Sequence, residues 1–303
     1  MLDSCTCTQE QMESPAFQEW YSQLALPPGR LHRKYWEWCY LCQALSERGM
    51  LRDGRRGLGF AVGKEPLTAL FARQGCEIVA SDLDQAKARD QGWTETDEHA
   101  NQLDDLNQKD ICPPERFRER VKFRVVDMNR LPADLNGFDF VWSSCSFEHL
   151  GSIHAGHRFI LNMTRCLRPG GVAIHTTEFN VSSNTDTWTS GLSVIFRQLD
   201  LLKMKELLES LGHQVAPFNF STGHGTADQH VDQPPYGQHP HLKLQLGPYV
   251  STSIGIIVTA GEQPNWLRRQ WASVRTPPTD TDLRVRIPRG LRRRLARFRT
   301  LPT

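Results

Sequence analysis

The sequence predicts an α/β fold built around a mostly parallel sheet. Short apolar runs alternate with amphipathic helical segments between residues 55 and 213, and strands separated by helices are typical of parallel sheets. The chain has 303 residues, of which 39% are hydrophobic and 23% charged, and this composition excludes disordered, collagen-like and coiled-coil proteins. A chain of this length can bury a sizeable core.

Residues 1–50 are predicted to form an N-terminal helical cap rich in aromatic residues. The aromatic residues fall into two clusters, and Pro-Pro-Gly at 27–29 interrupts the helical pattern between them. In the second cluster, RKYWEWCY, the apolar positions recur at helical spacing, and Gly49 is a typical helix stop. We therefore expect helical structure before the sheet begins.

The sheet is predicted from seven apolar runs, five that alternate with helical segments and two that close the sheet. The predicted strands are 55–62, 77–81, 121–127, 138–144, 172–178, 213–220 and 249–260, and the predicted helices are 66–75, 157–171 and 199–213. The stretch at 221–248 is rich in Gly, His, Pro and Asp. Because a long loop in a compact domain is more often functional than passive, we predict a lid-like insertion there.

A glycine-rich turn links the first predicted strand to the helix that follows it. Gly57, Gly59 and Gly63 allow the backbone to turn tightly beside a ligand, and a helix N-terminus presents free N–H groups. Asp82 ends the second strand about 20 residues later, where an acidic side chain can hold two ribose hydroxyls. The pattern favours an adenosine-containing ligand; the alternative is that the glycines only shape the turn.

Further motifs distinguish among adenosine ligands. Asp127 ends the third strand, where its carboxylate can accept from an adenine amino group while Met128 packs on the ring. With these motifs the chain resembles the class I S-adenosylmethionine-dependent methyltransferases. The matching segments are GFAVG at 59–63, SDLD at 81–84, VVDMNRLP at 125–132, FDFVWSSCSFEHLG at 138–151 and CLRPGGVAIHTTE at 166–178.

The resemblance implies a Rossmann-like, seven-stranded, mostly parallel sheet with an antiparallel last strand and helices on both faces. The last strand would belong to a hairpin of 213–220 and 249–260, so that the methyltransferase domain spans 51–260 and a C-terminal extension spans 261–303. The resemblance carries over Gly59, Ala61, Gly63, Asp82, Asp127 and Met128 as S-adenosyl-L-methionine contacts. The predicted contacts also include Phe60, Glu65, Leu83 and Ser144.

The chain departs from the family pattern at two places. Gly57 stands where many members have an acid, and Ala61 stands where the middle glycine is usual. The methionine amino group is therefore assigned to backbone carbonyls or to Glu65. Within the class, RKYWEW, SSCSFEHLGS and HTTEFN are similar to bacterial methyltransferases of surface-polysaccharide and natural-product gene clusters.

Candidate catalytic residues follow the fourth and fifth strands, because ligands of parallel sheets bind beyond the strands' carboxyl ends. Methyl transfer is an in-line displacement, and an oxygen nucleophile also needs a base or a metal. His149 is the first choice for the general base. Alternatively, Glu148-His149-Leu150 caps the next helix, with His149 hydrogen-bonded to the backbone. Glu178 ends the fifth strand and can face substrate, whereas His175 is expected to be buried.

No metal ion is predicted. Asp228, His230 and Asp232 could join Glu178 around a divalent cation in an extended segment, but no tight spacing supports this. Cys39-x-x-Cys42 has no second pair at zinc-finger spacing. The eight cysteines are predicted to be reduced thiols of a cytoplasmic protein, since the N-terminus lacks the apolar region of a secretory signal.

The C-terminal end carries the positive charge of the chain. Residues 284–303 contain eight arginines and no acid, whereas the whole chain has a net charge of +2, so the remainder is acidic. Leu291, Leu295 and Phe298 fit one face of a short helix. The interpretations are a solvated tail, a helix that contacts a membrane surface or a partner protein, and, less favoured, a nucleic-acid arm; no nucleic-acid partner is predicted.

These observations predict S-adenosylmethionine-dependent methyl transfer to a hydroxyl of a sugar or other small molecule. Trp188, Tyr236 and Tyr249 could stack on such an acceptor, or could pack in the core or in the lid-like insertion. One alternative is a nicotinamide-dependent oxidoreductase, against which the Pro-Gly-Gly turn and closing hairpin argue. Another is a non-catalytic binding or scaffold protein that retains the fold.

Overall fold

A computed structural model of the chain describes residues 1–90, 99–107, 110–237 and 239–262. The basic tail at 284–303, like nearly all of the predicted C-terminal extension, lies outside the described residues. Residues 1–263 form one compact unit, so the predicted N-terminal cap and the sheet share a single body. In the described part of the chain, no helix has the length and apolar character needed to cross a membrane.

The helices and strands alternate along most of this unit. The helices are α1 (Gln9–Glu13), α2 (Pro15–Gln23), α3 (Arg33–Glu47), α4 (Leu67–Arg73), α5 (Gln85–Asp90), α6 (Pro114–Arg120), α7 (Ile153–Met163), α8 (Gln198–Ser210) and α9 (Thr226–Gln229). The strands are β1 (Ser4–Cys5), β2 (Arg56–Gly59), β3 (Glu77–Asp82), β4 (Val121–Val125), β5 (Phe138–Ser143), β6 (Leu167–Asn180), β7 (Gln214–Val215), β8 (Phe218–Asn219), β9 (Lys243–Leu246) and β10 (Tyr249–Thr259).

The main sheet has the strand order β4-β3-β2-β5-β6-β10-β7, with β9 paired to β10 beyond this path. Strands β2 to β6 pair in parallel, whereas β10 is antiparallel to β6, β7 and β9. The predicted mostly parallel sheet with an antiparallel last strand is therefore confirmed. The addition of β9 makes the sheet eight-stranded rather than seven-stranded.

The predicted strand at 213–220 is wrong as a single element. Only β7 pairs with β10, while β8 pairs in parallel with β1 in a separate two-stranded sheet. Pro217 separates the two pieces, and a proline has no N–H to donate to a sheet ladder. Its carbonyl instead accepts a hydrogen bond from the Ser4 amide at 3.0 Å. The proline therefore directs the chain away from β10 and toward the N-terminus.

The segment predicted as a lid, 221–248, is anchored rather than free. It contains α9 and β9, and the Asp228 carboxylate accepts from the Gln9 amide at 2.8 Å. The Arg33 amide donates to the His241 carbonyl, and the His241 amide donates to the Leu31 carbonyl, each at 2.9 Å. These bonds fasten the segment to the N-terminal residues.

Helix α3 packs directly on the sheet and is part of the main core. Its Tyr40 ring stacks on Trp36 with a centroid distance of 4.8 Å. A Cβ atom added at Gly255 of β10 would lie 2.0 Å from the Tyr40 ring, so only glycine permits this close approach. The packing directs the first turn of α3 toward the carboxyl ends of the central strands, where Lys34 lies 3.3 Å from the Ser144 hydroxyl.

Candidate active site

A cleft of about 470 Å³ opens beyond the carboxyl ends of β2, β3 and β5, within the usual size range of small-molecule sites. Nine predicted site residues line it: Ala61, Gly63, Glu65, Asp82, Leu83, Asp127, Met128, Ser144 and His149. It is also lined by residues that the sequence did not single out as site residues: Lys34, Trp38, Lys64, Lys87, His99, Val126, Asn129, Cys145, Ser146 and Leu150.

The glycine-rich turn forms one wall of the cleft. Ala61 has φ +45° and Gly63 has φ +51°, which places both in the left-handed region. The alanine at the usual glycine position therefore adopts a conformation that glycine reaches without strain. The Val62 amide donates to the Ser81 carbonyl at 3.0 Å, so the turn is held against the neighbouring strand.

Asp82 lies at the base of the cleft, at the end of β3. Its carboxylate accepts hydrogen bonds from the amides of Leu83 at 2.8 Å and Gly63 at 3.0 Å. Burial raises the pKa of this carboxyl above its ordinary value, and these amides and His99 offset only part of that effect. Both carboxylate oxygens are held in fixed positions, as an acceptor for two neighbouring hydroxyls requires.

Asp127 and Met128 contribute the wall beyond β4. The Asp127 carboxylate accepts from the Asn129 amide at 2.9 Å and lies 3.2 Å from the Lys87 ammonium. Met128 is buried, yet it lines the cleft. A hydrogen-bond acceptor beside an apolar side chain suits a flat heteroaromatic ring that carries an amino group.

Lys34 is a cleft residue that the sequence analysis missed. It lies in the first turn of α3, and its ammonium is 3.2 Å from Glu65 and 3.3 Å from Glu37. Burial alone would lower the pKa of Lys34, but the carboxylates of Glu37 and Glu65 raise it well above its ordinary value. Burial also raises the pKa of Glu65 to about 6, although Lys34 opposes this. The cleft thus offers a cation and an acid side by side.

Glu37 connects α3 to the loop after β5. Its buried carboxylate accepts from the Ser144 hydroxyl and from the Cys145 thiol, each at 3.0 Å. Burial disfavours the charged form of Glu37, but the positive charges of Lys34 and Arg33 outweigh it and lower its pKa to about 2. An ionised carboxylate therefore fixes the loop residues that face the cleft.

His149 lies in a single 3₁₀ turn, Phe147–His149, on the cleft wall. Its Nδ1 is 2.9 Å from the Leu192 carbonyl oxygen. Because a carbonyl oxygen only accepts, Nδ1 carries the proton of the neutral ring and Nε2 carries the lone pair. The alternative for this motif is wrong about the cap, because Ser152 caps α7 through the Ala155 amide, but its expected hydrogen bond from His149 to the backbone is present.

Gly59, Phe60 and Glu178 are predicted site residues that do not line the cleft. A Cβ atom at Gly59 would lie 2.4 Å from Trp142, and Phe60 is fully buried with its ring edge-to-face against Phe159. Both positions therefore serve packing. Glu178 is buried, forms an ion pair with Arg33 and accepts a hydrogen bond from Ser251.

The proposed cation pattern in the insertion is not assembled. The Asp228 carboxylate caps α9 by accepting from the Gly225 amide, whereas the Asp232 carboxylate bonds to the His241 ring. His175 is buried, as expected, with Nδ1 2.7 Å from the Ser143 hydroxyl. All eight cysteines are free thiols.

The chain shares sequence and fold features with known proteins. Residues 58–175 match a family described as a methyltransferase domain. The glycopeptide N-methyltransferase MtfA is 14% identical over 72% of this chain and 94% of that chain, with a TM-score of 0.42. An S-adenosylmethionine-dependent methyltransferase from Clostridium acetobutylicum ATCC 824 is 13% identical over 81% of this chain and 98% of that chain, with a TM-score of 0.42. No curated protein matches the sequence.

The family match covers the strands and turns that build the cleft. Its span runs from β2 to the middle of β6 and includes the glycine-rich turn, Asp82 and Asp127. The buried acid at the end of β3 and the acid beyond β4 both lie within the matched span and line the cleft. The part of the chain that builds the cleft therefore matches a methyltransferase domain.

Proposed function

We propose that the protein transfers a methyl group from S-adenosyl-L-methionine to a hydroxyl of a sugar or other small molecule. The observation that carries this proposal is the His149 imidazole on the cleft wall, with Nδ1 bonded to the Leu192 carbonyl. A hydroxyl loses a proton when it is methylated, and an imidazole whose lone pair lies on Nε2 is suited to accept that proton.

Each part of the cleft has a role in this reaction. Asp82 would hold the ribose hydroxyls, and Asp127 with Met128 would hold the adenine. Lys34 and Glu65 would pair with the carboxylate and the ammonium of the methionine moiety. When bound, the cofactor supplies an electrophilic methyl group on a sulfonium, and its sulfur keeps the electron pair of the broken carbon–sulfur bond. The chain positions the acceptor oxygen in line with that bond and excludes water.

Two features of the loop between β6 and α8 favour a small cyclic molecule as the methyl acceptor. This loop supplies the Leu192 carbonyl, which orients His149. It also supplies the Trp188 side chain, which is 40% exposed. Trp188 lies edge-to-face with Tyr249 at 6.1 Å. Exposed aromatic faces stack on sugar rings and on aromatic acceptors. The free thiols of the chain favour a reducing compartment, so we assign the reaction to the cytoplasm.

Turnover measurements on nucleotide sugars and glycans test this proposal, with S-adenosylhomocysteine formation as the readout. With an accepted substrate, His149→Ala should lower kcat by a factor of about 100 to 10,000, the usual contribution of a general base, and should leave S-adenosylhomocysteine affinity unchanged. His154→Ala is the matched control, because His154 is exposed on α7 outside the cleft lining. Full activity of His149→Ala would exclude His149 as the base. Failure of every hydroxyl acceptor would favour the scaffold alternative.

A further inference from the structure

Three metal-ligating side chains come together behind the loop that follows β5. One ligand atom each of Cys145, Glu148 and Glu178 lies within 4.8 Å of the other two. Glu148 and Glu178 are buried, and Cys145 also lines the cofactor cleft. We propose that these three residues bind a divalent cation of the zinc type, with an open coordination position toward the cleft. No metal site is expected from the sequence at these positions, which are distant in the chain.

The Glu148 carboxylate provides an independent reason to expect a ligand. Its side chain is 1% exposed, and its Oε1 atom has no hydrogen-bond partner among the described residues. Its other oxygen accepts from the Thr177 hydroxyl at 3.1 Å. Leaving a buried polar atom unsatisfied costs about 1–3 kcal/mol, and more for a charged group. A cation bound to Oε1 removes that cost.

The charges of the cluster favour a cation over a neutral ligand. Arg33 forms an ion pair with Glu178, and Lys34 forms an ion pair with Glu37. The basic group near Glu148 is the His149 ring, whose Nε2 lies 4.0 Å from the Glu148 Oε1 atom. When the His149 ring is neutral, a bound cation would supply the charge that an ionised Glu148 carboxylate needs. Buried charges of this kind are usually paired or coordinate metal ions.

Outer residues hold each ligand in place, as is usual at metal centres. Arg33 and Ser251 orient the Glu178 carboxylate, and Thr176 fixes the Cys145 backbone by accepting from its amide at 3.0 Å. Cys145 has φ +41°, an uncommon value for a residue other than glycine, so the loop holds its side chain in a constrained position.

Thiolate and carboxylate ligands together suit Zn²⁺, and three protein ligands with one open position are typical of catalytic zinc. Binding displaces the proton of the Cys145 thiol to solvent, because the thiolate is the ligand. In a role that rests on the proposed function, the cation would coordinate the acceptor hydroxyl and make its proton easier to remove by His149. Metal binding itself does not depend on that role.

Cobalt titration of the chelator-treated, full-length protein tests the site. We expect one equivalent of Co²⁺ to bind and to give a thiolate-to-cobalt charge-transfer band in the near ultraviolet. Cys145→Ala should abolish the band, and Glu148→Gln should weaken Co²⁺ binding at least tenfold. The matched control is Cys112→Ala, which removes a buried thiol outside the cluster and should keep the band.

The outcomes separate the metal site from the proposed function. Absence of stoichiometric Co²⁺ binding, or a band that persists in Cys145→Ala, would overturn the metal proposal. Circular dichroism of each variant establishes that it is folded. Co²⁺ binding together with methylation of amines alone would support the metal site and refute the hydroxyl acceptor. Metal-independent methylation of a hydroxyl, with no Co²⁺ bound, would support the hydroxyl acceptor and refute the metal site.

Discussion

Asp82→Asn is predicted to weaken cofactor binding strongly. The carboxylate ends β3 at the base of the cleft and accepts from the Gly63 and Leu83 amides through different oxygens. An asparagine has one acceptor oxygen and one amide group, so one of these backbone donors would face another donor. The ribose hydroxyls would also lose a charged acceptor.

The size of the effect follows from the hydrogen bonds involved. A hydrogen bond to a charged group contributes about 1.5–3 kcal/mol, and two ribose hydroxyls donate to this carboxylate in the account given above. A combined loss of about 3 kcal/mol corresponds to roughly 150-fold weaker binding. The same substitution should reduce the free energy of unfolding, because the Gly63 or Leu83 amide loses its partner.

Isothermal titration calorimetry with S-adenosylhomocysteine at fixed salt measures the change in affinity. The control is Glu77→Gln, which removes an exposed acid at the opposite end of the same strand and should leave the affinity unchanged. Circular dichroism distinguishes weak binding from unfolding. A folded Asp82→Asn variant with affinity within threefold of the original protein would refute the assignment of Asp82 to the ribose.

Two further predictions concern stability and the tail. Burial opposes ionisation of Asp139, but the Arg56 amide and the guanidiniums of Arg55 and Arg168 outweigh burial and keep the pKa of Asp139 below its ordinary value. The ionised Asp139 therefore stabilises the fold at pH values above its unfolded-state pKa. This stabilisation is lost as the pH falls through its folded-state pKa. Urea unfolding of Asp139→Asn should show a loss of about 2 kcal/mol at neutral pH and a smaller loss in acid, whereas an equal loss at both pH values would contradict this. Deletion of 284–303 should spare S-adenosylhomocysteine binding and weaken binding to anionic vesicles at low salt; unchanged vesicle binding would exclude the membrane interpretation of the tail.

The elements that the sequence predicts well are those encoded by local patterns. Alternating apolar runs and helical segments locate the five parallel strands, and the acids at the strand ends identify Asp82 and Asp127. In a parallel sheet the carboxyl ends of adjacent strands meet at one edge, so strand prediction alone brings these residues to a common cleft. The same argument places the glycine-rich turn at this edge, because the turn follows the first parallel strand. Ala61 of this turn lies in the left-handed region.

Residues supplied by the N-terminal helix could not be predicted in this way. Lys34 and Glu37 reach the loop after β5 although more than 100 residues separate them from Ser144 in the chain. Their side chains are directed there by the packing of Tyr40 against Gly255, which is a tertiary contact. The sequence signal available for these residues is the i,i+3 spacing of Lys34 and Glu37 on a helix, which favours an ion pair between them.

The long insertion and the closing hairpin illustrate a second limit of prediction from the sequence. The composition of 221–248 is typical of a loop, yet its backbone hydrogen bonds join it to residues near positions 9 and 31. Pro217 offered a signal that was available in the sequence, because a proline within an apolar run argues against a continuous strand. The group formed by Cys145, Glu148 and Glu178 likewise assembles only when two strand ends come together.

Calorimetric titration of the full-length protein with S-adenosylhomocysteine and, separately, with NAD distinguishes a methyltransferase cleft from a nicotinamide site. We expect one-to-one binding of S-adenosylhomocysteine and no binding of NAD, because the cleft combines Asp82, the proposed ribose ligand, with the Lys34 and Glu65 pair that fits a methionine moiety. Binding of NAD without binding of S-adenosylhomocysteine would contradict it.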